Sequence, residues 1–269
     1  MRLTNNFFDN FFIFLAKEFM ENLRTKRLLV LICVFMFFAI SGPVLTRYMP
    51  EIFALLIPAG DEMGQAMLDV MGEPTWQDSF VQLYGNLGQI GSLTVILLFM
   101  GAILREKRSG TADIMLSKSL TPLEFVLAKY ASAALLVLGT VVLSIFVSTV
   151  YTFVLFGEIG SIVDILLGSL AFSAFLLFML AITLLCSAYA KSTGTAAVFS
   201  LMMWAFFGFI AVLPRIGIYT PATLMTGTPA ALTLGTPPQG VWITLIVTLV
   251  LADCALLLAT RIITKRQSG

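Results

Sequence analysis

Asp253 is the one ionisable residue deep inside an apolar run of this 269-residue chain. It lies eight residues before Arg261, about 12 Å in at the rise of an α-helix. A carboxylate near mid-membrane costs roughly 2.5–3.5 kcal/mol to insert, so Asp253 is expected to face a partner or a cavity. Two chemistries fit it: a proton or substrate site, or a structural hydrogen-bonded residue. Lys129, at a comparable depth, is a candidate partner. Other chemistry is sparse. The sequence has no histidine, which removes the zinc-protease helix motif and any Ser–His pair. It has no Gly-x-Ser-x-Gly elbow and no Gly-x-x-x-x-Gly-Lys phosphate loop. Catalysis, and hydrolysis of ATP by the chain itself, are therefore not expected, and no metal site is predicted.

The second feature is a polar island from Arg105 to Lys129, set between two long apolar runs. Arg105, Glu106, Lys107, Asp113 and Lys118 make it too charged for lipid. Gly110 and Thr111 offer an N-cap to a short helix, with Asp113 in its first turn and its end near Leu116–Lys118. Thr121-Pro122-Leu123-Glu124 is a second start: a Thr cap, Pro at the first helical position and Glu at the capping-box position. A structured, basic loop on one face of a membrane protein reads as a docking surface.

The elements that position these residues are membrane spans. Hydrophobic residues make up 59% of the chain and charged ones 12%, against about 25% charged in soluble domains. Uncharged runs cover 28–46, 79–104, 130–157, 165–190 and 192–214, and a sixth, 240–260, is broken only by Asp253. About 20 residues cross a ~30 Å hydrocarbon core. The expected layout is an all-α integral membrane domain with spans at 28–48, 79–104, 122–157, 165–190, 192–214 and 239–262. Fourteen Lys and Arg fall on the side of the termini and the island, and two, Arg47 and Arg215, on the other. Both termini are therefore expected in the cytoplasm. Cys33, Cys186 and Cys254 lie in apolar runs and are expected to pack as small hydrophobes.

Residues 1–27 should hold an interfacial amphipathic helix. Phe8, Phe11, Phe12, Leu15 and Phe19 form its apolar stripe, with Lys17, Glu18 and Glu21 on the rest. The alternative is the wet start of the first span. In the outer loop 49–78, Pro50 and Pro58 act as breakers, Met63–Met71 reads as a short helix, and Thr75-x-x-Asp78 opens the second span. The connection 215–238 carries a repeat, Thr220–Gly227 and then Thr228–Gly235. Each octad has a Thr cap, a Pro at the first helical position and a closing Gly, which predicts two short broken helices dipping into the outer leaflet.

This pattern resembles the permease subunits of ABC transporters of the ABC-2 type, over the whole chain. The residues that carry the likeness are Glu106-Lys107-Arg108-Ser109-Gly110-Thr111 through Leu116-Ser117, then Phe125 to Lys129. Lys17-Glu18 before Arg24 and the broken segment before the last span agree with it. One departure stands at Leu123-Glu124, where the family often has an Arg. The resemblance implies a mechanism: two permease chains pair, as a homo- or heterodimer, in a prokaryotic cytoplasmic membrane. Each docks the 105–121 loop, a coupling helix, on a separate ATP-binding subunit that carries ATP and Mg2+. Closure of those subunits drives a lipid, peptide or drug outward. Two other readings stand beside it: a gradient-driven transporter or channel using Asp253, and a ligand-binding resistance or sensor protein.

Overall fold

The computed structural model describes residues 7–57, 63, 66, 72–118, 120–213 and 217–267, with side chains described except at 7–9, 117, 118, 266 and 267. Among them all regular structure is helical. Helix α1 (Phe7–Arg24) is followed by six helical stretches long and apolar enough to cross a membrane. The first is α2 (Arg27–Leu56). The second, Trp76–Ser109, is built from α3 (Trp76–Asn86), a π-helical turn (Leu87–Gly91), α4 (Ser92–Phe99) and α5 (Leu104–Ser109). A short α6 (Thr111–Lys118) leads into α7 (Pro122–Phe156), then α8 (Ile162–Tyr189) and α9 (Thr193–Ala211). Two 3-10 turns (Gly217–Tyr219 and Pro221–Met225) and α10 (Gly227–Thr233) precede α11 (Val241–Gln267). Six crossings return the chain to the face it started from, the face that carries most of the Lys and Arg.

The helix starts follow from local chemistry. Thr75 and Asp78 form a capping box at α3, and Thr121 and Glu124 form one at α7 with Pro122 in the first turn. Ser192 and Thr195 do the same for α9. Gly157, at φ 76°, closes α7 in the left-handed conformation that glycine adopts without a Cβ penalty.

Several expectations differ from the structure. Helix α2 runs through Pro43 and Pro50 to Leu56, past the expected end at 48, because neighbouring residues carry the ladder that each proline interrupts. Gly110 ends α5 with φ 74°, so Thr111 is the first residue of α6 rather than its cap. In the octad repeat Thr220 sits at an N-cap position, but its hydroxyl donates back to the Gly217 carbonyl at 2.7 Å instead of capping, and Thr228 lies inside α10. Cys186 is buried, whereas Cys33 and Cys254 sit on exposed lateral surface. The predicted helix at 63–71, and Arg215, fall largely outside the described residues.

Helix α8 is the central pillar. Some 67% of its most apolar window is buried, against 11% for α9. Phe172, Phe175, Phe178 and Met179 fill the space around it, while Gly168, Ala171 and Ala181 let neighbours approach. At the face opposite the basic one, the broken segment is seated against this pillar. Tyr84 and Thr233 share a hydrogen bond of 3.1 Å between hydroxyls. A Cβ on Gly88, within the π turn, would come 2.5 Å from the Met225 carbonyl oxygen. One on Gly168 would come 2.5 Å from the Pro229 carbonyl oxygen and nearer still to Thr233.

Overpacking of this kind costs about 1–3 kcal/mol. Gly168→Ala should therefore lower the melting temperature of the detergent-solubilised protein. Gly139→Ala, with nothing within 4 Å of the added Cβ, should leave it unchanged.

Candidate functional site

The site grows from one face of α1. Phe14, Glu18 and Asn22 recur every four residues and are all buried against α7. This reverses part of the expected amphipathic pattern. Phe12 points outward at 60% exposure, Phe11 is half-buried, and Glu18 faces inward at 4%. The side chain of Phe8 is outside the described residues.

Glu18 is buried because it meets a lysine. Lys129 Nζ, on the third turn of α7, donates to Glu18 Oε2 at 2.9 Å and lies 3.0 Å from Glu106 Oε1 on α5. Lys17 Nζ bridges from the wet side: 2.7 Å to Glu18 Oε1, 3.0 Å to Glu21 and 3.0 Å to Glu106. Two ammonium groups thus tie three carboxylates from α1 and α5 to the start of α7. The rings of Phe14 and Phe125 stack at 5.7 Å and wall the pair from lipid. Lys129 Nζ stands 5.1 Å from the Phe125 ring and 5.7 Å from the Phe14 ring.

Two cations against three anions leave one negative charge. Arg27, buried at the first turn of α2, sits beside the network. Its guanidinium donates to Asn22 Oδ1 and lies 5.5 Å from the Phe99 ring. Asn22 in turn donates to Ser132 Oγ at 3.1 Å. The island is also tied to α8: Ser187 Oγ accepts from the amides of Ile103 and Leu104 at 3.2 and 3.1 Å, and Lys107 donates to the Ala188 carbonyl.

Glu18, Glu21 and Glu106 bring carboxylate oxygens within 4.8 Å of one another. The lysine ammonium groups stand among those oxygens and supply the compensating charge, so the arrangement is an ion-pair network. Burial alone would lower the pKa of Lys17, but Glu18, Glu106 and Glu21 hold it above its ordinary value. Burial would raise the Glu18 carboxyl, but Lys129 and Lys17 hold it below the usual carboxylate range.

Of the residues singled out by sequence, Lys17, Glu18, Glu106 and Lys129 come together here. Arg105 and Arg108 are exposed nearby, and Gly110 turns the chain into α6. On α6, Asp113 and Ile114 point outward, Leu116 is half-buried and Ala112 is buried; the Lys118 side chain is outside the described residues. Asp253 is not the partner of Lys129: it lies on the exposed surface of α11, while Lys129 is taken by Glu18 and Glu106. Sequence reading missed Asn22, Ser132 and Ser187, and it singled out Phe14, Arg27 and Phe125 without placing them at this network. The spacing of Phe14, Glu18 and Asn22 was the available signal.

Removing one partner of a buried ion pair costs about 3–5 kcal/mol. Lys129→Met should lower the melting temperature markedly, and adding Glu18→Gln in that background should recover part of the loss. The pH response has a defined sign. A depressed Glu18 contributes stability above its unfolded value and loses it as pH falls through the folded one. A raised Lys17 contributes fully below its unfolded value and loses it at still higher pH. Melting temperature should thus be flat from about pH 5 to 10 and fall in acid, with a shallower acid limb in Glu18→Gln.

Comparisons to known proteins bear on the chain as a whole. The family described as ABC-2 family transporter protein matches residues 67–261. Over 116 residues the chain is 24% identical to an uncharacterized transmembrane protein, YxlG, of Bacillus subtilis (strain 168). That match spans 43% of the chain and 43% of the relative, under half of each. The family match runs from before the second span into the last one and includes α5, α6 and Lys129 of the network. With six apolar helices and this match over most of its length, the chain belongs to the ABC-2 family of membrane transport proteins.

Proposed function

We propose that this chain is the permease subunit of an ATP-driven exporter and that α6 is its coupling helix. The observation that carries the reading is the position of Glu106. It stands on α5, the element directly before α6, and is bound through Lys17 and Lys129 to both α1 and α7. A displacement of α6 would therefore reach α1 and the third span through ion pairs, without passing through a flexible linker. Asp113 and Ile114 on the exposed side of α6 would contact the ATP-binding subunit. Chemistry stays with that subunit, which would hold ATP and Mg2+; this chain contributes binding and motion. Two permease chains would pair around the path, in a prokaryotic cytoplasmic membrane with both termini inside. The excess of Lys and Arg on the face of the termini supports that orientation. A hydrophobic or amphipathic substrate suits a chain with so few charges. The gradient-driven alternative is weakened by the exposure of Asp253, which leaves the buried ionisable groups at the basic face already paired.

The test is co-purification with the ATP-binding subunit encoded alongside it. Asp113→Lys should lose the complex while melting like wild type, because Asp113 is exposed. Glu106→Gln should keep the complex but lose most of the substrate-stimulated ATPase activity. A wild-type chain that folds yet binds no ATPase would sink the proposal.

A further inference from the structure

Asp253 is used neither by the charge network nor by the proposed coupling. It sits on the exposed lateral face of α11, eight residues before Arg261, about 12 Å inside the apolar run at helical rise. Unlike the long stems of Lys and Arg, its side chain is too short to reach water from that depth. It forms no ion pair or hydrogen bond with the described residues. Tyr130 on α7 stands nearby, but its hydroxyl donates to the Leu177 carbonyl at 3.4 Å. A carboxyl group in hydrocarbon is costly in either form, since the neutral one still loses its hydrogen bonds to water. That cost calls for a partner from outside this fold.

The surrounding face says what kind. Ile243, Ile246, Val250, Asp253 and Leu257 follow at steps of three and four along α11, and the four apolar ones are each more than half exposed. This is the spacing by which one helix packs along another, and a single polar residue in such a seam fixes the register of the partner. A wet path would expose several polar groups; here only the Cys254 thiol accompanies the carboxylate at that depth. The seam is therefore suited to a helix in lipid. Opposite a carboxylate in hydrocarbon, the complementary group is a cation. A second copy of this chain does not supply one. Among the described residues its exposed Lys and Arg lie at the ends of the apolar runs or beyond them, and its own α11 would bring a second carboxylate.

We propose that this face of α11 docks a membrane-spanning helix of a different protein, with one Lys or Arg at mid-membrane that pairs with Asp253. The proposal is independent of the coupling role of α6, since its test uses the chain without an ATPase. The full chain, with an acceptor dye at its C-terminus, is placed in phosphatidylcholine nanodiscs. Donor-labelled single-span Leu/Ala peptides bearing Lys, Leu or Glu at the centre are added. One polar contact between helices in a membrane changes affinity about tenfold. The Lys peptide should thus reach half-maximal energy transfer at about a tenfold lower peptide-to-lipid ratio than the Leu peptide. Asp253→Leu should remove that preference, and Asp253→Lys should transfer it to the Glu peptide. Without peptide, Asp253→Leu should melt no lower than wild type, because the carboxylate bonds to nothing within the chain. No preference for the Lys peptide, a preference that survives Asp253→Leu, or a lowered melting temperature in that variant would overturn the proposal. So would energy transfer between two labelled wild-type copies that Asp253→Leu abolishes, which would assign the face to a second copy.

Discussion

Lys129 has to be charged, buried and paired at once, and the basic half of the molecule is arranged around that demand. An ammonium withdrawn from water is tolerable only when its partners are held in place. Glu18 and Glu106 are those partners, and they come from helices far apart in the chain. Helix α1 must therefore lie against α7, and the end of the second span must close on both. The aromatic wall of Phe14 and Phe125 strengthens the pairs by excluding water. Arg27 offsets the remaining negative charge, which fixes the corner between α1 and α2.

The opposite half is organised by a different demand. A nearly uncharged, broken segment must satisfy its backbone at the margin of the membrane. Short 3-10 and α turns bond internally, and glycines let them approach the spans closely. The π turn in the second span belongs to this arrangement, since it places Gly88 against Met225. Ion pairs thus hold one end of the molecule and backbone contact holds the other, with α8 as the shared pillar.

What was legible in the sequence was whatever depends on neighbours in the chain. The six spans follow from run length and hydropathy, and the boxes at Thr75–Asp78 and Thr121–Glu124 follow from residue type at fixed offsets. What was not legible depends on partners distant in the chain. Glu18 reads as a wet residue until Lys129 is placed beside it, 111 positions away. Lys129 could be assigned to Asp253 by depth alone, because depth gives no azimuth around the bundle. Pro50 reads as a breaker by the rules of aqueous helices, yet α2 continues through it to Leu56, since a proline removes one ladder bond and leaves its neighbours' bonds in place. In the repeat, the second octad departs from the pattern because α10 starts at Gly227, placing Thr228 within the helix.

These two ends bear differently on the proposed cycle. A network of ion pairs is short-ranged and directional: the Lys17 and Lys129 contacts to Glu106 are near 3 Å, and separation by a few ångströms into water would remove most of their attraction. Such a joint transmits displacement while intact and breaks under larger strain. Close backbone packing at Gly88 and Gly168 behaves otherwise, because packed surfaces have discrete arrangements and do not deform continuously. A motion begun at α6 would therefore be carried smoothly through α1 and α7. It would meet a threshold at the opposite face, where Tyr84 and Thr233 must part before the broken segment can shift. In the proposed exporter, a joint of ion pairs at the basic face and discrete packing at the other would help keep the two faces from opening together.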